Sequence, residues 1–139
     1  VAQRRELSAF IGRYSVSRRI DDRHAQIETL FDGQAEIAVQ GDGAIYREVG
    51  HLIVGDQRFE AERRYLWHED AERIFVSFED GRAFHDFDPT LGGQASEHLC
   101  GEDMYRGAYD FSEWARWSVT WNVQGPRKDY MSTTSYVKR

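Results

Sequence analysis

The chain has 139 residues, enough for one domain with a buried core and too few for two. Its 18 Lys+Arg against 24 Asp+Glu leave a formal charge of −6, which argues against a nucleic-acid partner, because duplex binding demands phosphate neutralisation. The single cysteine, Cys100, forbids an intrachain disulfide and suits a reducing, cytoplasmic compartment. No apolar run is long enough for a membrane helix and Val1 to Leu7 carries no secretory apolar segment, so no membrane partner is expected; a start at Val rather than Met points to trimming.

Phe10 to Ile20 alternates, with Gly12, Tyr14, Val16, Arg18 and Ile20 on the more apolar side, and reads as the first strand. Ile27, Leu30 and Phe31, preceded by Asp21-Asp22 and followed by Gly33, suit either strand or a two-turn helix with an acidic cap and a glycine stop. Gln34 to Gln40, the turn Gly41-Asp42-Gly43 and Ala44 to Val54 read as a hairpin. Gly55-Asp56-Gln57 then turns into Phe59 to His68, Glu69 to Glu72 precedes Arg73 to Phe78, and Asp80-Gly81 joins that strand to Arg82 to Phe87. A loop from Asp88 to Gln94 leads to Ala95 to Cys100, and Gly101-Glu102-Asp103 turns into Met104 to Phe111. Ser112 before Glu113-Trp114-Ala115 suits a single helical turn. Trp117, Val119, Trp121 and Val123 form a buried face at period two, Gly125-Pro126 ends that strand, and Lys128 to Lys138 is the last. Short turns throughout predict an all-β fold, an antiparallel up-and-down β-barrel of about eight to ten strands. Aromatic content of 14% beside a mean hydropathy of −0.70 fits a barrel whose lumen is partly hydrated and carries Arg, His, Tyr and Glu.

Gly12-Arg13-Tyr14 on the first strand, with Arg139 closing the last, resembles the calycin pattern, in which a Gly-x-Trp is covered by a C-terminal Arg; here Tyr stands for Trp. The ordered series Tyr46-Arg47-Glu48-Val49-Gly50, Arg64-Tyr65-Leu66-Trp67, Phe78 to His85, His98-Leu99-Cys100, Asp103-Met104-Tyr105, Tyr109-Asp110-Phe111 and Gly125 to Tyr130 resembles an uncharacterised bacterial domain family of unknown function, regarded as lipocalin-like. The resemblance implies a calycin/lipocalin-like barrel and no activity.

His85 and His98 fall in neighbouring predicted strands, and Cys100 shares a face with His98. Three such groups suit a metal or a haem ligand, but paired zinc spacing and C-x-x-C-H are both missing, so no metal and no cofactor is expected. An interior histidine bonded to Asp, Tyr or Arg is the structural alternative. Arg63 and Arg64 put a guanidinium on each face of one strand. The inner one needs a partner among Glu48, Glu62 and Asp110, or serves as a fork for a carboxylate. Tyr105 and Tyr109, with Gly107 leaving room between them, suit a pocket wall or a cross-strand aromatic ladder. Arg127 and Lys128 read as a solvated rim. No G-x-S-x-G, H-E-x-x-H, P-loop or dinucleotide fingerprint occurs.

The expected function is binding of a small, apolar or aromatic and conceivably anionic molecule, by Arg63, Tyr65, Trp67, Phe78, His85, His98, Tyr105, Tyr109, Trp117 and Trp121. One rival is a lyase, isomerase or cyclase with His85 or His98 as general acid/base and Tyr105 or Arg63 stabilising negative charge. The other is an interaction module using the Asp88 to Gln94 loop. The expected partner is a small molecule, with a homodimer left open.

Overall fold

A computed structural model describes residues 4–139; the Val1 end, with the trimming read from it, lies outside the described residues. A 3-10 turn, Leu7–Phe10, precedes eleven strands: β1 (Gly12–Asp22), β2 (Ile27–Gln40), β3 (Gly43–Val54), β4 (Gln57–Asp70), β5 (Arg73–Phe78), β6 (Ala83–Phe87), β7 (Gly93–Gln94), β8 (His98–Cys100), β9 (Asp103–Asp110), β10 (Trp117–Gln124) and β11 (Asp129–Lys138). All belong to one antiparallel sheet in the order β6-β5-β4-β3-β2-β1-β11-β10-β9-β7, with β8 also on β9. This is an up-and-down meander joined through its terminal strands, and it curls into a nearly closed barrel. Among the described residues no helix is long and apolar enough to cross a membrane.

Four local readings of the sequence are corrected. Phe10 belongs to the 3-10 turn rather than to β1. Ile27 to Phe31 is strand, not helix: Ile27 pairs with Asp22 of β1 and Leu30 with Ile53 of β3, so ladders on both sides override a weak local helix pattern. Ser112 starts no helix. Its amide donates to Asp110 Oδ1 at 2.9 Å, and the segment makes two successive turns, Trp114 N to Phe111 O and Arg116 N to Glu113 O. Finally, Ala95 to Cys100 is not one strand, because only His98–Cys100 pairs with β9. The stretch before it serves as a seam. Ala95 N donates to Gly107 O of β9, while Ser96 N donates to Asp86 O of β6 and Ser96 Oγ accepts from Asp86 N, so the Ala95-Ser96 pair bridges β9 and β6.

Alternation decides what lies inside. Tyr14, Val16 and Arg18 of β1, Tyr46 and Glu48 of β3, Trp67 of β4 and Thr134 and Tyr136 of β11 are all buried, each separated by outward residues. The 3-10 turn plugs one end of the barrel. The Phe10 ring is fully buried and meets Trp67, Phe87, Phe111, Trp114 and Trp117 at centroid distances of 5.1–6.1 Å, all edge-on. Arg5 fastens the plug: its Nε donates to Pro89 O at 2.9 Å, its Nη2 to Thr90 O at 2.8 Å, and its guanidinium lies 4.4 Å over the Trp114 ring.

Phe10→Ala is expected to leave a void at this end and to lower unfolding free energy by about 3–5 kcal/mol, measured by chemical denaturation; a loss under about 1 kcal/mol would show that the plug does not hold the barrel.

Candidate functional site

Opposite the plug the barrel opens into a cavity of about 740 Å³. Its lining includes all ten residues named from the sequence: Arg63, Tyr65, Trp67, Phe78, His85, His98, Tyr105, Tyr109, Trp117 and Trp121. Strand direction separates depth from mouth. Trp67 and Trp117 lie deep, at the plugged end, whereas Asp22, Arg82, Leu99 and Tyr130 belong to strand ends and turns at the mouth.

One wall departs from simple alternation. On β6, Val76 of β5 faces His85 and Ser77 faces Ala83, so Phe84 is an extra residue at a β-bulge. Both Phe84 and His85 therefore line the cavity. The Phe84 ring stacks on Phe78 at 5.0 Å and Trp121 at 5.1 Å, with His98 edge-on at 5.3 Å. The room that Gly107 offers between Tyr105 and Tyr109 is not empty space, because Trp121 takes it: a Cβ at Gly107 would stand 2.7 Å from the indole. Tyr109 is scaffold and wall together, lining the cavity while stacking on Phe87 at 4.0 Å.

The charged part of the lumen centres on Glu48, which the sequence offered only as a partner for Arg63. Arg18 grips both its oxygens, Nη2 to Oε1 at 2.6 Å and Nη1 to Oε2 at 2.9 Å, and Arg18 Nε donates to Thr134 Oγ1 at 2.7 Å. Tyr46 Oη donates to Glu48 Oε1 at 2.6 Å and lies 2.7 Å from Tyr136 Oη. Burial alone would raise the Glu48 carboxyl, but the Arg18 fork outweighs it and holds the group below the usual carboxylate range. Burial likewise opposes the charge on Arg18, and Glu48 more than restores it. Tyr136 is pushed up to about 12, chiefly by burial. Of the three partners foreseen for Arg63, Glu48 is the one it approaches, Nε to Oε2 at 3.6 Å. Glu62 is taken by Arg47 and Arg64, and Asp110 is engaged with the Ser112 amide.

The two histidines differ. His85 is buried, and its Nε2 lies 2.8 Å from Tyr109 Oη while Nδ1 has no partner. Desolvation pulls its pKa down to about 3, so it stays neutral in the range where a general acid/base must titrate. His98 is half-buried among Phe78, Phe84 and Tyr105 at the cavity wall. The Trp117 indole N–H is also buried without an aligned acceptor, and the Tyr14 ring, whose hydroxyl donates to Phe10 O at 2.6 Å, lies edge-on to the indole at 5.7 Å. Cys100 is exposed at the mouth. Among the described residues no group of three or more His, Cys, Asp or Glu is placed to hold a metal. At the rim, Lys128 Nζ lies 3.4 Å from both Tyr105 Oη and Asp103 Oδ2. Lys138 crosses Gly12, its Cε standing 2.8 Å from where a Cβ would be, and Arg139 N donates to Arg13 O at 2.8 Å.

Two outcomes follow. With Glu48→Leu, Arg18 is left buried and uncompensated, so unfolding free energy should fall by about 3–5 kcal/mol, and the Arg18→Met, Glu48→Leu double variant should recover most of it in a denaturation series. For His85, a pKa of about 3 in the fold against 6.5 in an unfolded chain means that unfolding takes up a proton at any pH between the two. Its contribution is whole above pH 6.5 and drains as pH falls toward 3, at up to about 1.4 kcal/mol per unit. A His85→Gln variant should show a flatter stability profile across that window; an unchanged slope would contradict the assignment.

Solved structures share this fold. An S-type phycobiliprotein lyase, CPES, from Guillardia theta superposes with a TM-score of 0.65 at 8% identity, over 96% of this chain and 90% of that one. A protein of unknown function from the DUF3598 family of Nostoc punctiforme PCC 73102 superposes with a TM-score of 0.59 at 8% identity, over 95% of this chain but 48% of the other. At such identity the likeness is one of fold, and it agrees with the calycin-like barrel. No curated protein matches the chain. Residues 10–138, the barrel with its plug residue Phe10, match the family of unknown function DUF6314, and the chain belongs to that family.

Proposed function

We propose that the barrel binds a small, largely apolar and planar molecule in its lumen. The observation that carries this reading is a cavity of about 740 Å³, within the size range of ligand pockets, closed by Phe10 at one end and open at the other. Its walls are ring faces, with Trp67, Phe78, Phe84 and Trp121 among them, and polar groups such as Arg63, His98 and Tyr130 are set between them. A bulge that turns Phe84 inward as well as His85 supports a wall shaped for contact rather than for closure of the sheet. In this reading Tyr65, Tyr105, Tyr109 and Trp117 complete the walls, His98 is the polar anchor near the mouth, and His85 is a supporting residue that holds Tyr109. An exposed, unpaired Cys100 suits a reducing compartment, so we place the protein in the cytoplasm.

A phycobiliprotein lyase is built on the same fold, which makes a lyase-type activity the second reading. That chemistry would draw on His98, Tyr105 or Arg63, since His85 is held neutral.

The test uses the neutral fluorescent probe phenylnaphthylamine. Saturable one-to-one binding is expected, with an affinity about tenfold weaker in Phe84→Ala, which removes a stacking ring. A titration that never saturates would overturn the binding reading.

A further inference from the structure

We propose that the occupant of the lumen is an anion, with a carboxylate or similar oxyanion held by Arg63. This rests on the binding reading above and adds the chemical class of the ligand. The argument is one of charge left over. Both oxygens of Glu48 are already committed, to the two Arg18 nitrogens and to Tyr46. Arg63 stands 3.6 Å from Oε2, beyond hydrogen-bonding length, and makes no hydrogen bond among the described residues. One carboxylate thus faces two guanidinium groups, and the second is not neutralised. Its side chain is 46% exposed beside the cavity, so it is open to solvent and an incoming anion need not displace a protein carboxylate.

The other charges at the cavity are already engaged. Arg82 binds Asp80 at 2.7 Å and lies over the Phe78 ring, and Asp22 Oδ1 accepts the Ala25 N–H at 2.9 Å. Phenols line the same cavity as Arg63, Tyr65, Tyr105 and Tyr130 among them, and burial pushes the Tyr130 phenol up, so that it stays protonated. An arginine with phenols beside it, and aromatic faces deeper in, matches a flat apolar body ending in an oxyanion. In a chain of net charge −6 the charges about the lumen balance, Arg18, Arg63 and Arg82 against Asp22, Glu48 and Asp80, and of the three arginines Arg63 alone has no hydrogen-bonded carboxylate among the described residues.

Two probes that share an aromatic body test this: anilinonaphthalene sulfonate, which is anionic, and neutral phenylnaphthylamine. The folded protein should bind the anion more tightly, and each probe should displace the other. Arg63→Gln should weaken sulfonate binding about tenfold or more while changing phenylnaphthylamine affinity by less than about twofold, and Arg63→Lys should restore part of the loss. Thermal unfolding of both variants checks that the barrel is intact, as a half-exposed side chain allows. Equal sulfonate affinity in wild type and Arg63→Gln, with the neutral probe still bound, would overturn the anion site and leave the binding barrel standing. Failure of both probes to bind wild type would overturn the binding reading itself.

Discussion

A carboxylate taken out of water must be met by charge and by hydrogen bonds, and the lumen of this barrel is organised around that requirement at Glu48. The demand is satisfied from two strands, by Arg18 of β1, reaching past β2, and by Tyr46 two residues away on β3, while Arg63 on β4 stands 3.6 Å off. Arg18 is fixed in turn by Thr134 of β11, so the pair ties together strands that join the two ends of the chain. A shift of one residue in β1 or β3 would turn one member of the pair outward and strand the other, which makes the pair a strong constraint on register. The same requirement determines the character of the cavity, since satisfying Glu48 with a bidentate arginine is what leaves Arg63 with charge to spare.

The two ends of the barrel divide the labour. At the plugged end, rings meet edge to face around Phe10, and stability comes chiefly from close packing. Toward the mouth the residues are mixed: Tyr105 and Tyr130 with Lys128 at the rim, and Arg63 and His98 below them. That gradient along one lumen lets a single wall strand serve both purposes. On β4, Trp67 packs against Phe10 and Phe87 while Arg63, four residues earlier, reaches the wetter part of the cavity.

Much of the architecture was legible because it is local. Turns such as Gly41-Asp42-Gly43 and Asp80-Gly81 and the period-two run from Trp117 to Val123 each announce themselves within a dozen residues. What escaped is decided by partners far away in sequence. The segment Ile27 to Phe31 becomes strand through ladders to β1 and β3, and the bulge at Phe84 exists only in relation to Ser77 and Val76. The site shows the same division. Aromatic residues on inner faces could be named from alternation, but Arg18 was passed over although it sits on the apolar face of its strand, in step with Tyr14 and Val16, and Glu48 stands in step with Tyr46. A charged residue in phase with a buried face on each of two strands is the signal that pointed to a buried pair.

The ladder between β1 and β11, which sets Tyr14 against Lys138 and Asp22 against Tyr130, bears on the order in which the protein comes into being. Strands β1 to β6 can zip together neighbour by neighbour as they emerge, but the wall containing Thr134 and Tyr136 is made after all of them and pairs with β1. Contacts so distant in sequence carry the full entropy of closing the loop between them, and they form late. Until β11 has been synthesised, Arg18 lacks Thr134 and the lumen lacks a side, so a nascent chain presents an open, ring-studded trough and acquires an interior only once that strand has emerged.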